Sequence, residues 1–253
     1  VANHIKRTPG NMNHFLLIIF LVATSMGGVL AQDLKKTNIQ FDFGTTITIP
    51  YKGMVEMNPE LIEHAKTEYS ADFGFFLEFL ISYNLNSKCA ISTGLNYNYT
   101  SYKIYDQIGL FENKGNLTNS NISIPILFKY KPIERLPLSI SAGPYLGFLI
   151  NANEKGTSII DTTGLVFLQP DPVFDFGISQ EYESDILNDY TSFDYGLSIQ
   201  FDYEIKISQT LNGIMLTRFN YGLKNVLTND LANKSSANTW KNYNLMIGFG
   251  LKL

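Results

Sequence analysis

The chain has 253 residues, a formal charge of -4, 15 tyrosines and 18 phenylalanines, and only 17% charged side chains. Such a surface lacks the Lys and Glu that keep a soluble domain in water. The net negative charge speaks against a nucleic-acid partner, whose backbone calls for a basic patch, and no Pro/Ser/Gly-rich linker divides the chain, which is long enough for one large all-β domain.

The first element is "MNHFLLIIFLVATSMGGVLAQ", with a start at Met12, an apolar stretch from Phe15 to Ala23, and Val29-Leu30-Ala31 as a small-residue cleavage site before Gln32. Residues 1–31 are therefore expected to be upstream residues and a signal peptide, and 32–253 the exported domain. The apolar stretch is too short for a membrane helix, and nowhere else is there a run of about 18 apolar residues. Cys89 is the single cysteine, so neither a disulfide framework nor a lipid-anchored cysteine after the cleavage site is available.

Eight segments then alternate with period two, each reaching the roughly 9 to 11 residues that a tilted membrane strand needs. Near Asn38 to Ile49, Ile39, Phe41, Phe43, Ile47 and Ile49 oppose Gln40, Asp42, Gly44, Thr46 and Thr48. Near Asp72 to Leu85, Phe73, Phe75, Leu77, Phe79, Ile81 and Tyr83 oppose Gly74, Glu78, Ser82 and Asn84. A third segment covers Lys88 to Tyr102, and the fourth (Asn121 to Lys131) and fifth (Leu136 to Ile150) are apolar on both parities. The sixth is the cleanest, with Phe193, Tyr195, Leu197, Ile199, Phe201 and Tyr203 against Asp194, Ser198, Gln200, Asp202 and Glu204. The seventh runs from Leu211 to Lys224, and the eighth is "NYNLMIGFGLKL", Asn242 to Leu253. Pro125 and Pro144 fall inside strands of a barrel with no free edge, and a bulge is expected at each.

Connections alternate in length. "NSK", "PIER" and "ISQT" are short, whereas 50–71, 103–118, 151–188 and 225–237 are long. This is the pattern of an eight-stranded antiparallel up-and-down transmembrane barrel in the outer membrane of a Gram-negative bacterium, with turns and both termini in the periplasm and loops outside. Tyr51, Tyr69, Tyr130, Tyr190, Trp240 and Tyr243 lie near strand ends, where interfacial girdles sit. A soluble, lipocalin-like exported barrel would place its apolar side chains inside. An interior of eight strands is just wide enough for side chains. It can hold the polar set but not six bulky groups from every strand, so the apolar parity is expected to face lipid.

Four stretches, "NISIPILFKYKP" (Asn121 to Pro132), "AGPYLGFLI" (Ala142 to Ile150), "RFNYGLKNV" (Arg218 to Val226) and "IGFGLKL" (Ile247 to Leu253), resemble the PorT-like family of outer-membrane β-barrel proteins from Bacteroidota. The similarity extends over essentially the whole exported chain, with Leu253 standing where an aromatic is the commoner last residue. The resemblance implies the same barrel, and for the namesake a tie to protein secretion and sorting. It implies no single activity, because a fold does not fix one.

Candidate chemistry is sparse. His64 is the one histidine after the signal, in "NPELIEHAKTE", where Asn58 can cap and Pro59 open a short helix, so neither a Ser-His hydrolase nor a histidine-based metal site is expected. No catalytic residue, metal or cofactor is assigned. The closing "GFG" does not turn into a helix and is no phosphate loop; its glycines are expected to relieve crowding in the barrel wall.

Two constellations remain. The interior parities carry Asp42, Glu78, Asp194, Asp202 and Glu204 against Arg218, Lys252 and Lys129, expected to be a packed set of paired charges, with a narrow ion path as the alternative. The connection from Asn151 to Asp189 is strongly acidic. Its Asp161, Asp171, Asp175, Glu181, Glu183 and Asp185 form a solvated outer loop or a docking surface for a basic partner or divalent cations. The expected role is structural or protein-interacting, in secretion or envelope assembly. The alternative is a small pore or ligand-binding transport barrel. Expected partners are outer-membrane lipid, the barrel-insertion machinery and another envelope or secretion protein.

Overall fold

In β1 (Thr37–Pro50) Gln40, Asp42, Thr46 and Thr48 are buried, while Phe41 and Phe43 are 51% and 56% exposed. The polar parity is the inside and the aromatic parity the outside, the inverse of a soluble barrel. The computed structural model describes residues 36–50, 65–108, 111–133, 136–160, 178–226 and 241–253. The expected signal segment, His64, Tyr51, Trp240, Asp161, Asp171 and Asp175 lie outside those residues.

The other strands are β2 (Ala65–Ala71), β3 (Phe73–Asn84), β4 (Cys89–Ile108), β5 (Phe111–Tyr130), β6 (Leu138–Ile160), β7 (Ile178–Asp185), β8 (Phe193–Lys206), β9 (Asn212–Gly222) and β10 (Asn242–Lys252). Eight of them close a ring in the order β1, β3, β4, β5, β6, β8, β9, β10, each antiparallel to its neighbours. Closure runs through β1 and β10, with Phe43 opposite Phe249, and the last residue is tied in by Leu253 N donating to Ile39 O at 2.9 Å. No ring strand is left with an open edge, as a lipid environment requires.

The greasy parity continues around the outside. Leu77, Leu197, Ile199, Phe201, Met215, Ile247 and Phe249 are all exposed. Toward the long-loop end this surface becomes aromatic: Phe75 stacks on Tyr99 at 5.3 Å and Tyr221 on Tyr243 at 4.7 Å. Tyr130 is 42% exposed near the short-turn end. Tyr190 departs from the girdle expectation. It is buried inside the long-loop end, its hydroxyl 3.4 Å from that of Tyr102, in an apolar cluster with Leu117, Ala152 and Val226.

Two further expectations are corrected. Both prolines keep their ladders in register: Pro125 lies opposite Tyr145 and Pro144 opposite Leu197. The one register shift of β5 against β6 falls instead between Ser120 and Asn121. Across it the interior parity of β6 switches from Tyr145 to Ala152, both buried. An antiparallel strand sends alternate amides to alternate neighbours, so a proline removes one bond without moving the residues around it.

Residues 103–108, 111–118 and 151–160 are not loops. They continue β4, β5 and β6 past the ring, and β2 and β7 add to their edges, giving a projecting five-stranded sheet in the order β2, β4, β5, β6, β7. Cross-strand partners satisfy the backbone there as well as they do in the ring. What disappears is the apolar parity, because these residues lie beyond the greasy band.

Candidate functional site

The barrel interior holds most of the ionisable residues singled out in the sequence. β3 and β9 point Glu78 and Arg218 into the lumen from nearly opposite walls, and the guanidinium clasps the carboxylate with Nη1 to Oε1 at 2.5 Å and Nη2 to Oε2 at 2.6 Å. Arg218 Nε also donates to Gln200 Oε1 at 2.6 Å, and Gln200 Nε2 donates to Asp202 Oδ1 at 2.5 Å. Asp202 receives Lys129 Nζ at 2.6 Å. Glu204, two residues further along β8, receives Lys252 at 2.8 Å and Lys131 at 3.0 Å. Asp42 accepts from Gln40 at 2.7 Å on the same inner face.

Asp42, Glu78, Asp202 and Glu204 thus face Lys129, Lys131, Arg218 and Lys252, four acids against four bases. A bidentate, hydrogen-bonded pair is the arrangement in which buried charges recover part of their desolvation cost. Asp194 stands apart from this set, bonded to Tyr145 Oη at 3.2 Å and Asn242 Nδ2 at 3.0 Å toward the long-loop end. Phe76, Ile214, Leu216 and Met246 form an apolar cluster in the same interior, Ile214 and Leu216 lying opposite Glu204 and Asp202 in the β8–β9 ladder.

Glycines make room for these groups. A Cβ on Gly248 would stand 2.6 Å from Phe76 Cζ, and one on Gly250 would press on the Asp42 carboxylate. Gly196 leaves space in the same way for the Tyr145 ring. Gln200, Gln40, Lys131 and Tyr145 were not singled out in the sequence. Gln200 carries the signal most clearly, since it sits on the polar parity of β8 directly opposite Arg218.

At the long-loop end the acidic residues take a definite place. Glu181, Glu183 and Asp185 lie on one face of β7, at the edge of the projecting sheet, opposite Thr157, Lys155 and Asn153 of β6. On the other face Tyr182 donates to Glu154 at 2.8 Å and lies over Gly115 and Gly156. Partial burial, then the Glu154 carboxylate, raise the Tyr182 pKa above the ordinary tyrosine range. Glu112 pairs with Lys114 and raises the pKa of that lysine.

The family model described as "Outer membrane protein beta-barrel domain" matches residues 30–228. The chain belongs to this family of outer-membrane β-barrel proteins. It resides in the outer membrane of a Gram-negative bacterium. In barrels of this kind the short turns face the periplasm and the long connections the outside, which would turn the projecting sheet outward. No curated protein matches the chain. Solved structures similar to it include the outer membrane protein OprG from Pseudomonas aeruginosa, at 12% identity and a TM-score of 0.40, covering 85% of this chain and 95% of that one. A major outer membrane protein from Thermus thermophilus gives 13%, 0.39, 85% and 98%. The attachment invasion locus protein Ail of Yersinia pestis, solved with the heparin analogue sucrose octasulfate, gives 13%, 0.36, 86% and 99%. Likenesses at these levels say nothing of role.

Proposed function

We propose that this protein is a closed, non-conducting barrel with a structural or protein-interaction role in the cell envelope, of the secretion or assembly kind that the PorT-like resemblance implies. The observation that carries this reading is the Arg218–Glu78 clasp, which crosses the lumen between β9 and β3 with Arg218 itself 2% exposed. Ions would have to displace a buried, bidentate charge pair to pass, and such a pair resists opening because either partner left alone in a narrow interior is costly. Around the pair four acids face four bases, with Asp194 set apart toward the long-loop end, so the layer that closes the lumen offers no excess of one sign to draw a cation or an anion in.

Planar-bilayer recordings test this directly. The purified protein is expected to leave conductance at background; steady unitary currents from the wild type would overturn the reading. The interaction half is tested by a photo-crosslinking residue at exposed Glu183 in living cells. A discrete adduct with another envelope protein is expected, and adducts indistinguishable from those of a lipid-facing position such as Ile199 would count against it.

A further inference from the structure

We propose that the outward face of the projecting sheet is a headgroup site for an outer-leaflet glycolipid, in which Lys103, Lys114 and Lys155 bind the phosphates of a phosphorylated saccharide. This goes beyond the interaction role above and does not depend on it.

The site follows from strand parity. On β4 the side chains that face lipid within the barrel are Ile91, Leu95, Tyr97 and Tyr99, and the same parity continues upward as Ser101, Lys103 and Tyr105. Register then assembles two rows across five strands. The lower runs Ser70, Lys103, Asn116, Lys155, Glu183 and the upper Glu68, Tyr105, Lys114, Thr157, Glu181. These rows border an open hollow of about 740 Å³ lined by residues of all five strands.

The three lysines occupy the three central strands. Glu68 and Glu181 line the hollow from the two edge strands with Glu183 beside it, and Glu112 stands next to Lys114 on β5. Lys103 and Lys155 are two strands apart, about 10 Å, with Lys114 one row above between them. Lys114 is held in place by Glu112 and by the Tyr105 ring, whose centroid lies 5.6 Å from its Nζ. Lys103 and Lys155 are exposed, and among the described residues neither has a carboxylate within ion-pairing distance. Ser70, Asn116 and Thr157 add hydrogen-bonding groups suited to sugar hydroxyls.

Height selects the occupant. Lys103 lies four residues above Tyr99, about 13 Å along the strand and about 10 Å above the aromatic belt at the tilt of a barrel strand. That is beyond the hydrocarbon and at the level of headgroups. A face that is continuous with the lipid-facing wall, basic at its centre and rich in hydroxyl and amide groups meets the phosphates and sugars of the surrounding glycolipid before it meets any soluble molecule.

The test uses the full exported chain in detergent, with native mass spectrometry counting retained diphosphorylated lipid A. Each lysine beside an anionic lipid strengthens binding by about five-fold. The triple variant Lys103→Gln, Lys114→Gln, Lys155→Gln is therefore expected to lose at least about ten-fold in retention, and wild type to lose a similar amount toward dephosphorylated lipid A. The control Lys36→Gln, Lys88→Gln, Lys206→Gln removes the same charge at the periplasmic end and should retain lipid as wild type does. A heat-dependent gel shift confirms that both variants are folded barrels. Equal retention by wild type and the first triple, or an equal loss in the control, would overturn the proposal. Tighter capture of soluble inositol hexakisphosphate than of lipid A would also overturn it, by assigning the hollow to a soluble polyanion.

Discussion

Arg218 and Glu78 are 140 residues apart in sequence, yet they share two hydrogen bonds of 2.5 and 2.6 Å inside the barrel. Their strands do not touch, because β1 and β10 lie between β3 and β9 on that side of the ring. The pair therefore ties together parts of the wall that no backbone ladder connects.

Removing one partner leaves the other charge buried without compensation. Arg218→Leu and Glu78→Leu are each expected to destabilise the barrel by about 3–5 kcal/mol. The double variant should recover much of that loss, since two apolar groups replace a pair whose desolvation was only partly offset. Urea titration of folded protein in lipid vesicles measures all three, and additive losses would show that the two residues act independently.

A second prediction separates the lipid-facing wall from the lumen. Ile199 is 47% exposed near the middle of β8, and Ser198 beside it is 1% exposed. Ile199→Arg is expected to cost about 2–4 kcal/mol in vesicles if that position lies near the bilayer midplane. Ile199→Leu should be near neutral. The comparison is made in lipid, since a detergent micelle thins the apolar layer and weakens the contrast.

The barrel was legible because one physical rule governs every residue of a membrane strand: period two, apolar outward, polar inward. Phe41 against Asp42 and Leu197 against Ser198 could be sorted without a structure, and β1 and β10 close the ring as that sorting requires. The projecting sheet was not legible for the same reason. Above Tyr99 no lipid face is needed, so the alternation of Lys103, Ile104, Tyr105 and Asp106 carries little hydropathy contrast and read as loop. Inside the lumen, residue types indicated that charges must pair but not which ones. Stagger between strands decides that Arg218 meets Glu78 while Asp194 is left to Tyr145 and Asn242. Proline was misleading because one lost hydrogen bond is a smaller disturbance than the extra residue of a bulge.

The glycine-lined wall supplies a third prediction. Gly44 and Gly248 lie opposite each other on β1 and β10, and a Cβ on either would stand within 2.8 Å of the Phe76 ring. Gly248→Ala should destabilise by about 1–3 kcal/mol through overpacking. Phe76→Ala alone should cost about 3–5 kcal/mol through loss of packing. Because the Gly248 Cβ would press on the Phe76 ring as well as on the Phe43 carbonyl, removing the ring relieves part of the overpacking, and the double variant should fall short of the sum, with a coupling of at least about 0.5 kcal/mol. Simple additivity in thermal melts followed by gel shift would mean that the ring does not rest on Gly248.

The fourth prediction concerns which end faces outward, on which both proposals for the projecting sheet depend. Glu183 is exposed on edge strand β7, and Lys206 is exposed at the end of β8, beside the short turn closed by Ile207 N and Leu211 O at 3.1 Å. In a Cys89→Ala background, Glu183→Cys and Lys206→Cys place single thiols at opposite ends of the exported domain. A membrane-impermeant maleimide added to intact cells should label the first and leave the second unlabelled. Permeabilising the outer membrane should then make Lys206→Cys reactive, with both variants labelled to similar extents. The reverse order would place the short turns outside, moving the lysine hollow to the periplasmic side and excluding it from the outer leaflet.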